Sequence, residues 1–203
     1  MATSFPISLP SVGTRSIRIR QAGVVAVGES PYTLEQQVQR HQGQAWLLDL
    51  EFPPLGRVDA EPLVAALCSL NGREGTFLFG DSANKSPRGT AGGTPLVNGA
   101  DQTGEDLITD GWSAGATIKA GDWLQLGSGS TSRLYKNLAD VTADGSGNAT
   151  LTLWPRIHTA WANNAAITTT FPKGVFRRLT TGQDWSVSVA KRYGISVSAM
   201  SLP

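Results

Sequence analysis

His41 and His158 are the two side chains of this chain best suited to moving protons near neutral pH. Nucleophilic hydrolysis would need one of them oriented by a carboxylate and within reach of an activated hydroxyl or thiol. His41 closes the polar stretch Glu35-Gln36-Gln37-Val38-Gln39-Arg40-His41, and His158 follows Pro155-Arg156-Ile157 in a loop. The sequence holds no G-x-S-x-G elbow, so each histidine reads as a surface or interface side chain. Asp49 and Glu51 are the nearest pair of carboxylates with glycosidase character. At i and i+2 of a strand they share a polar face, where they are ordinary solvated acids. Cys68 can form no internal disulfide, and with only two histidines it can build no structural zinc site. It lies beside an apolar helical stripe and is read as a small buried hydrophobe. The Gly-rich segments lack a phosphate-loop motif, and Gly127-Ser128-Gly129-Ser130 is not followed by a helix. Asp140, Asp144 and Gly145-Ser146-Gly147 lack the spacing of a calcium loop and read as a hairpin turn. The expectation is a protein without catalytic residues, metal or cofactor, and not an enzyme.

Binding chemistry has two sources. Arg15, Arg18 and Arg20 alternate along one strand, and Arg177-Arg178 form a second basic pair. No aromatic residues interleave with them to stack single-stranded bases. The 17 basic and 16 acidic residues leave a net charge of +1, which excludes a phosphate-neutralising surface and with it specific nucleic-acid recognition. Ion pairing across a subunit contact, or plain solvation, accounts for the arginines. Among the six tryptophans, Trp46 and Trp185 fall on core-facing strand patterns. Trp112, Trp123, Trp154 and Trp161 all lie between residues 93 and 172. Core packing is the preferred role for these four, and Trp112 and Trp161 are the candidates for a sugar-stacking surface.

These residues must be positioned mostly by strands. The 203 residues are 40% hydrophobic and 16% charged, enough apolar content for a real core. The N-terminus shows no signal-peptide pattern, and no run approaches the ~18 apolar residues of a membrane helix, so the chain is expected to be soluble, made in the cytoplasm, and without membrane insertion. Ile17 and Ile19 alternate with arginines, residues 24–28 form a fully apolar strand, and Trp46, Leu48, Leu50 and Phe52 mark one face of another, ended by Pro53-Pro54. One helix is expected, with Asp59 as N-cap, Pro62 in its first turn, a stripe of Leu63, Val64, Leu67 and Leu70, and Asn71-Gly72 as its stop.

Residues 81–94 break this pattern with a Gly-, Ser- and Pro-rich linker. Short strands then recur at Leu96-Val97, Asp106–Thr109, Trp123–Leu126, Arg133–Leu138, Ala149–Trp154 and Ala166–Thr170, with turns that include Asp110-Gly111. Val175-Phe176, Trp185–Val189 and Ile195–Ala199 follow a second break at Phe171–Gly174. The expected fold is mainly β: a β-sandwich or split-barrel base domain with one helix (residues 1–92 and 173–203), carrying an inserted antiparallel β module (residues 93–172). A plain sequential pair of domains is the rival organisation.

Taken together, Arg15–Arg20, Trp46–Pro54 and the run Leu70-Asn71-Gly72-Arg73-Glu74-Gly75-Thr76-Phe77-Leu78-Phe79-Gly80-Asp81 resemble minor tail proteins of long, non-contractile-tailed bacteriophages. So do Lys119–Gly127, Asp140–Leu151 and Tyr193–Ser196. Within that group the closest role is the distal tail protein. The resemblance implies a homohexameric ring at the tail tip of the virion, joining the tail tube protein to the tail-tip hub protein around a lumen for DNA. Further partners would be the tape-measure protein or a host-surface glycan. It supplies no catalytic residue. The N-terminal strands and the closing strands would lie at the ring, with Arg18, Arg20, Trp185 and Val187 as candidate interface residues, and the 93–172 module would sit outside. A carbohydrate- or receptor-binding β module is the alternative role.

Overall fold

The computed structural model describes residues 4–203. Its strands are β1 (Ile7–Ser8), β2 (Ser16–Glu29), β3 (Gln36–Glu51), β4 (Thr76–Phe79), β5 (Gly93–Val97), β6 (Gly104–Trp112), β7 (Thr117–Ile118), β8 (Trp123–Leu126), β9 (Arg133–Asn137), β10 (Val141–Thr142), β11 (Ala149–Ile157), β12 (Ile167–Thr168), β13 (Gly174–Arg178), β14 (Trp185–Val187) and β15 (Tyr193–Ser201). One α-helix, α1 (Arg57–Ser69), stands among them. The architecture is mainly β with a single helix among the described residues, as expected.

Two large sheets take thirteen of the fifteen strands, and β7 and β10 pair with each other as a small antiparallel sheet. The first runs β1-β4-β13-β15-β3-β2, with β14 paired to β15; the second runs β12-β8-β9-β11-β6-β5. Every strand of the first sheet comes from residues 7–79 or 174–201, and every strand of the second from residues 93–168. Apart from the parallel pair β1–β4, neighbours are antiparallel.

Period-two patterning positions the first core. Trp46, Leu48 and Leu50 face inward from β3 and meet Val197 and Ala199 of β15 and the inner stripe of α1: Ala60, Leu63, Val64 and Leu67. A second core forms inside the other sheet around Leu107, Leu124, Leu126, Leu151 and Leu153. The helix stops at Asn71 and Gly72, both at positive φ. At Gly72 a Cβ would stand 2.4 Å from the Thr181 carbonyl oxygen, so glycine is required there both for backbone conformation and for space.

Several expectations need correction. The helix begins two residues before Asp59: Gly56 is its N-cap, without a side-chain cap, and Asp59 sits in the first turn. Pro62 therefore lies beyond the first turn. The helix tolerates it because the carbonyl that loses a partner belongs to Val58, a residue exposed to water. Cys68 is exposed, one helical step away from the Leu63–Leu67 stripe. Asp110-Gly111 is no turn; β6 continues through it to Trp112, with Gly111 at φ +74° where its register with β5 shifts. Arg178 is buried, donating to Thr180 Oγ1 at 3.2 Å and to the Gly182 carbonyl, and is no part of a basic surface.

The largest departure is in β2 and β3. Residues 24–28 do not enter the core. Beyond a register shift between Gly23 and Val25, the two strands leave the sheet as a two-stranded ribbon closed by the turn Ser30–Glu35. Val24, Val25, Val27 and Val38 are each more than half exposed. The pairing explains why: the ladder partners of Val25 and Ala26 are Arg40 and Gln39. A polar partner strand cannot help bury an apolar one.

Candidate functional site

Three surface features converge on the first sheet. The first is its border at β2, which among the described residues pairs only with β3, leaving its other edge along Ser16–Gly23 without a partner strand. Arg18 and Arg20 project from the outer face there. Arg20 Nη2 donates to Asp49 Oδ2 at 2.7 Å, and Arg15 Nη1 to Glu51 Oε1 at 3.1 Å. Asp49 Oδ1 also accepts the Ser198 hydroxyl at 2.7 Å. That hydrogen bond, then the Arg20 guanidinium, holds the Asp49 carboxyl below the usual carboxylate range. Asp49 and Glu51 are thus ion-pair acceptors. Arg18 has no carboxylate partner among the described residues.

The second is β14, a short strand off the main strand order, which pairs with β15 as Trp185↔Ile195 and Val187↔Tyr193. The sequence pattern places Trp185 in the core, but it is 44% exposed and Val187 54%. A three-residue strand off the main strand order has nothing packed over it, so its apolar side chains face water. The third is the ribbon. Val27 pairs directly with Val38, and Val25 lies two residues along on the same face. Tyr32 at the turn is 95% exposed.

The histidines take separate places. His41 is exposed on the ribbon. His158 lines an apolar cleft of about 450 Å³ at the ribbon's base, with Val24, Ala45, Met200 and Pro203. Burial, then the Arg156 charge, lowers its pKa. Asp144 closes a turn by accepting the backbone N–H groups of Ser146 and Asn148, each at 2.8 Å. No cluster of three potential metal ligands occurs among the described residues.

Trp112 and Trp161 are corrected as ligand candidates. They are 4% and 8% exposed and belong to the second core; Trp112 donates its indole N–H to Thr109 Oγ1 at 2.8 Å. Neither ring offers a face to a sugar. Sequence reasoning missed the ribbon, although a signal was present: an apolar run whose hairpin partner is almost wholly polar has no way to be covered within one chain. No protein-family model matches the chain, and no curated protein matches it. Among the described residues no helix is long and apolar enough to cross a membrane.

Proposed function

We propose that the chain is a structural component of a phage tail tip, working by association with copies of itself. Copies would join edge to edge into a ring, six by the resemblance, linking the tail tube protein to the tail-tip hub protein and leaving a lumen for DNA. The observation that carries this reading is the projecting ribbon of residues 23–44. Its valines lie in water on a single chain, beside a long unpaired edge, and such surfaces are found where another chain covers them. The apolar strand β14 and the β2 border differ in character. A contact between them would be heterologous, the kind that closes rings when the rotation permits. Arg18, Arg20, Trp185 and Val187 all remain on these two strands and keep their place in the proposal.

Light scattering on the purified protein across a concentration series tests it. Concentration-dependent growth to a closed oligomer of defined mass is expected. A strict monomer at the highest attainable concentration, also absent from assembled tails, overturns it. The alternative carbohydrate-binding role has lost its motive at Trp112 and Trp161, whose rings are core.

A further inference from the structure

A cleft of about 520 Å³ lies at the seam between the two sheets, within the range of small-molecule sites. Ile17 and Ile19 of β2 and the indoles of Trp46 and Trp123 supply its apolar walls. Lys136 of β9 also lines it, its Nζ over the Trp123 ring at 4.5 Å from the centroid.

The polar groups around this cleft are unbalanced. Lys136 is half-buried and has no carboxylate partner among the described residues. Trp123 is 4% exposed, and its indole N–H is buried without a hydrogen-bond partner. Among the described residues Asp81 is the one carboxylate lining the cleft, and its oxygens face neutral donors: Oδ1 accepts the Ala83 N–H at 2.9 Å and Oδ2 the Asn84 amide. Arg15 is held by Glu51. What remains free is the Lys136 ammonium, beyond ion-pair distance of every carboxylate among the described residues, beside an Asp81 that keeps its charge but is turned to Ala83 and Asn84. A partly dehydrated ammonium is costly without an anion, and an aromatic face compensates it only in part. A dianionic phosphate would gain a single free cation while losing its water to apolar walls. A monoanionic carboxylate on an apolar body suits both halves of the site.

We propose that the seam cleft binds a carboxylate carried on an aromatic or aliphatic body, the anion pairing with Lys136 Nζ and the body packing against the half-buried Ile17 and Ile19 beside the edge of Trp123. The site is independent of the assembly reading, and either can fail alone.

The test follows the indole N–H resonances of the ¹⁵N-labelled full chain during titration with phenylacetate and with its neutral isostere phenylacetamide. The Trp123 signal should move with phenylacetate, and the amide should bind at least about tenfold more weakly, as loss of a charge-assisted contact implies. Lys136→Gln should lose the same factor, and Lys136→Arg should keep most of the binding. No movement of the Trp123 signal overturns the proposal, as does equal binding of acid and amide, a comparison that needs no variant. Titration with acetyl-Glu-Phe-amide separates the two sources of such a group. Tighter binding than phenylacetate identifies an acidic side chain of a partner protein, and weaker binding identifies a free small acid.

Discussion

The Trp46 indole N–H donates to the Leu134 carbonyl oxygen at 3.0 Å, joining β3 of the first sheet to β9 of the second. The same indole packs edge-on against Trp123 at 4.8 Å and Trp154 at 4.1 Å between centroids. Three tryptophans from both sheets thus share one seam, and the first core extends across it to Leu134 and Trp123. The sheets are separate in sequence but not insulated from each other.

Replacing residues 93–171 with a short Gly-Ser linker should leave the first sheet folded, because its remaining core, from Leu48 through α1 to Ala199, lies within the retained residues. The seam would be uncovered, so Trp46 fluorescence should shift to the red while far-UV circular dichroism keeps its β signal. Complete collapse would mean that the chain folds as one unit or as two sequential domains.

Trp46→Phe removes the seam hydrogen bond together with part of the indole's packing against Trp123 and Trp154. It leaves the buried Leu134 carbonyl unpaired and should cost about 1–3 kcal/mol in urea unfolding. A loss below about 0.5 kcal/mol would show that water replaces the indole there.

Leu67 is fully buried at the centre of the helical stripe. Leu67→Ala should therefore cost about 2–5 kcal/mol. The contrast is Cys68, the next residue, which is exposed: Cys68→Ser should change stability by no more than about 0.5 kcal/mol, and the native thiol should react with a maleimide without unfolding.

Legibility in the sequence followed the availability of a partner. Trp46, Leu48, Leu50, Leu63, Leu67, Val197 and Ala199 were readable as core because strand and helix periods mark a buried face whatever lies opposite. Trp185 and residues 24–28 carry an equally apolar pattern, yet burial there depends on what packs over them, and the single chain supplies nothing. Trp112 and Trp161 fail in the other direction: indoles that invite a stacking role are used to fill a small β core. The seam cleft was invisible because Ile17, Trp123 and Lys136 meet only after two sheets are docked.

Asp49 should give the acid limb of stability a recognisable slope. Its folded pKa lies below the value near 3.9 of an unfolded aspartate, so proton uptake favours the unfolded chain. The stabilisation is full above about pH 5 and is lost as pH falls through about 4 toward the folded pKa. Asp49→Asn should be less stable than the parent at neutral pH, and the two should converge in acid. Parallel curves from pH 7 to pH 3 in urea titrations would show that the Ser198 and Arg20 contacts do not favour the charged form.

The ribbon offers the sharpest separation of stability from assembly. Val27 and Val38 form a cross-strand pair on a surface that touches no core residue. Placing lysine at both positions sets like charges opposite each other, at a cost of about 1 kcal/mol or less to the ribbon, and leaves both cores untouched. Thermal unfolding of the double variant should therefore shift by only a few degrees. If neighbouring copies cover these valines, the same two changes put two ammonium groups into an apolar contact, and the oligomer seen by light scattering should dissociate. An oligomer of unchanged mass would place the ribbon outside the subunit contact and leave the β2 border and β14 to carry assembly. Loss of folding itself would mean that the ribbon is part of the stable sheet, contrary to its exposure along Val24–Val38.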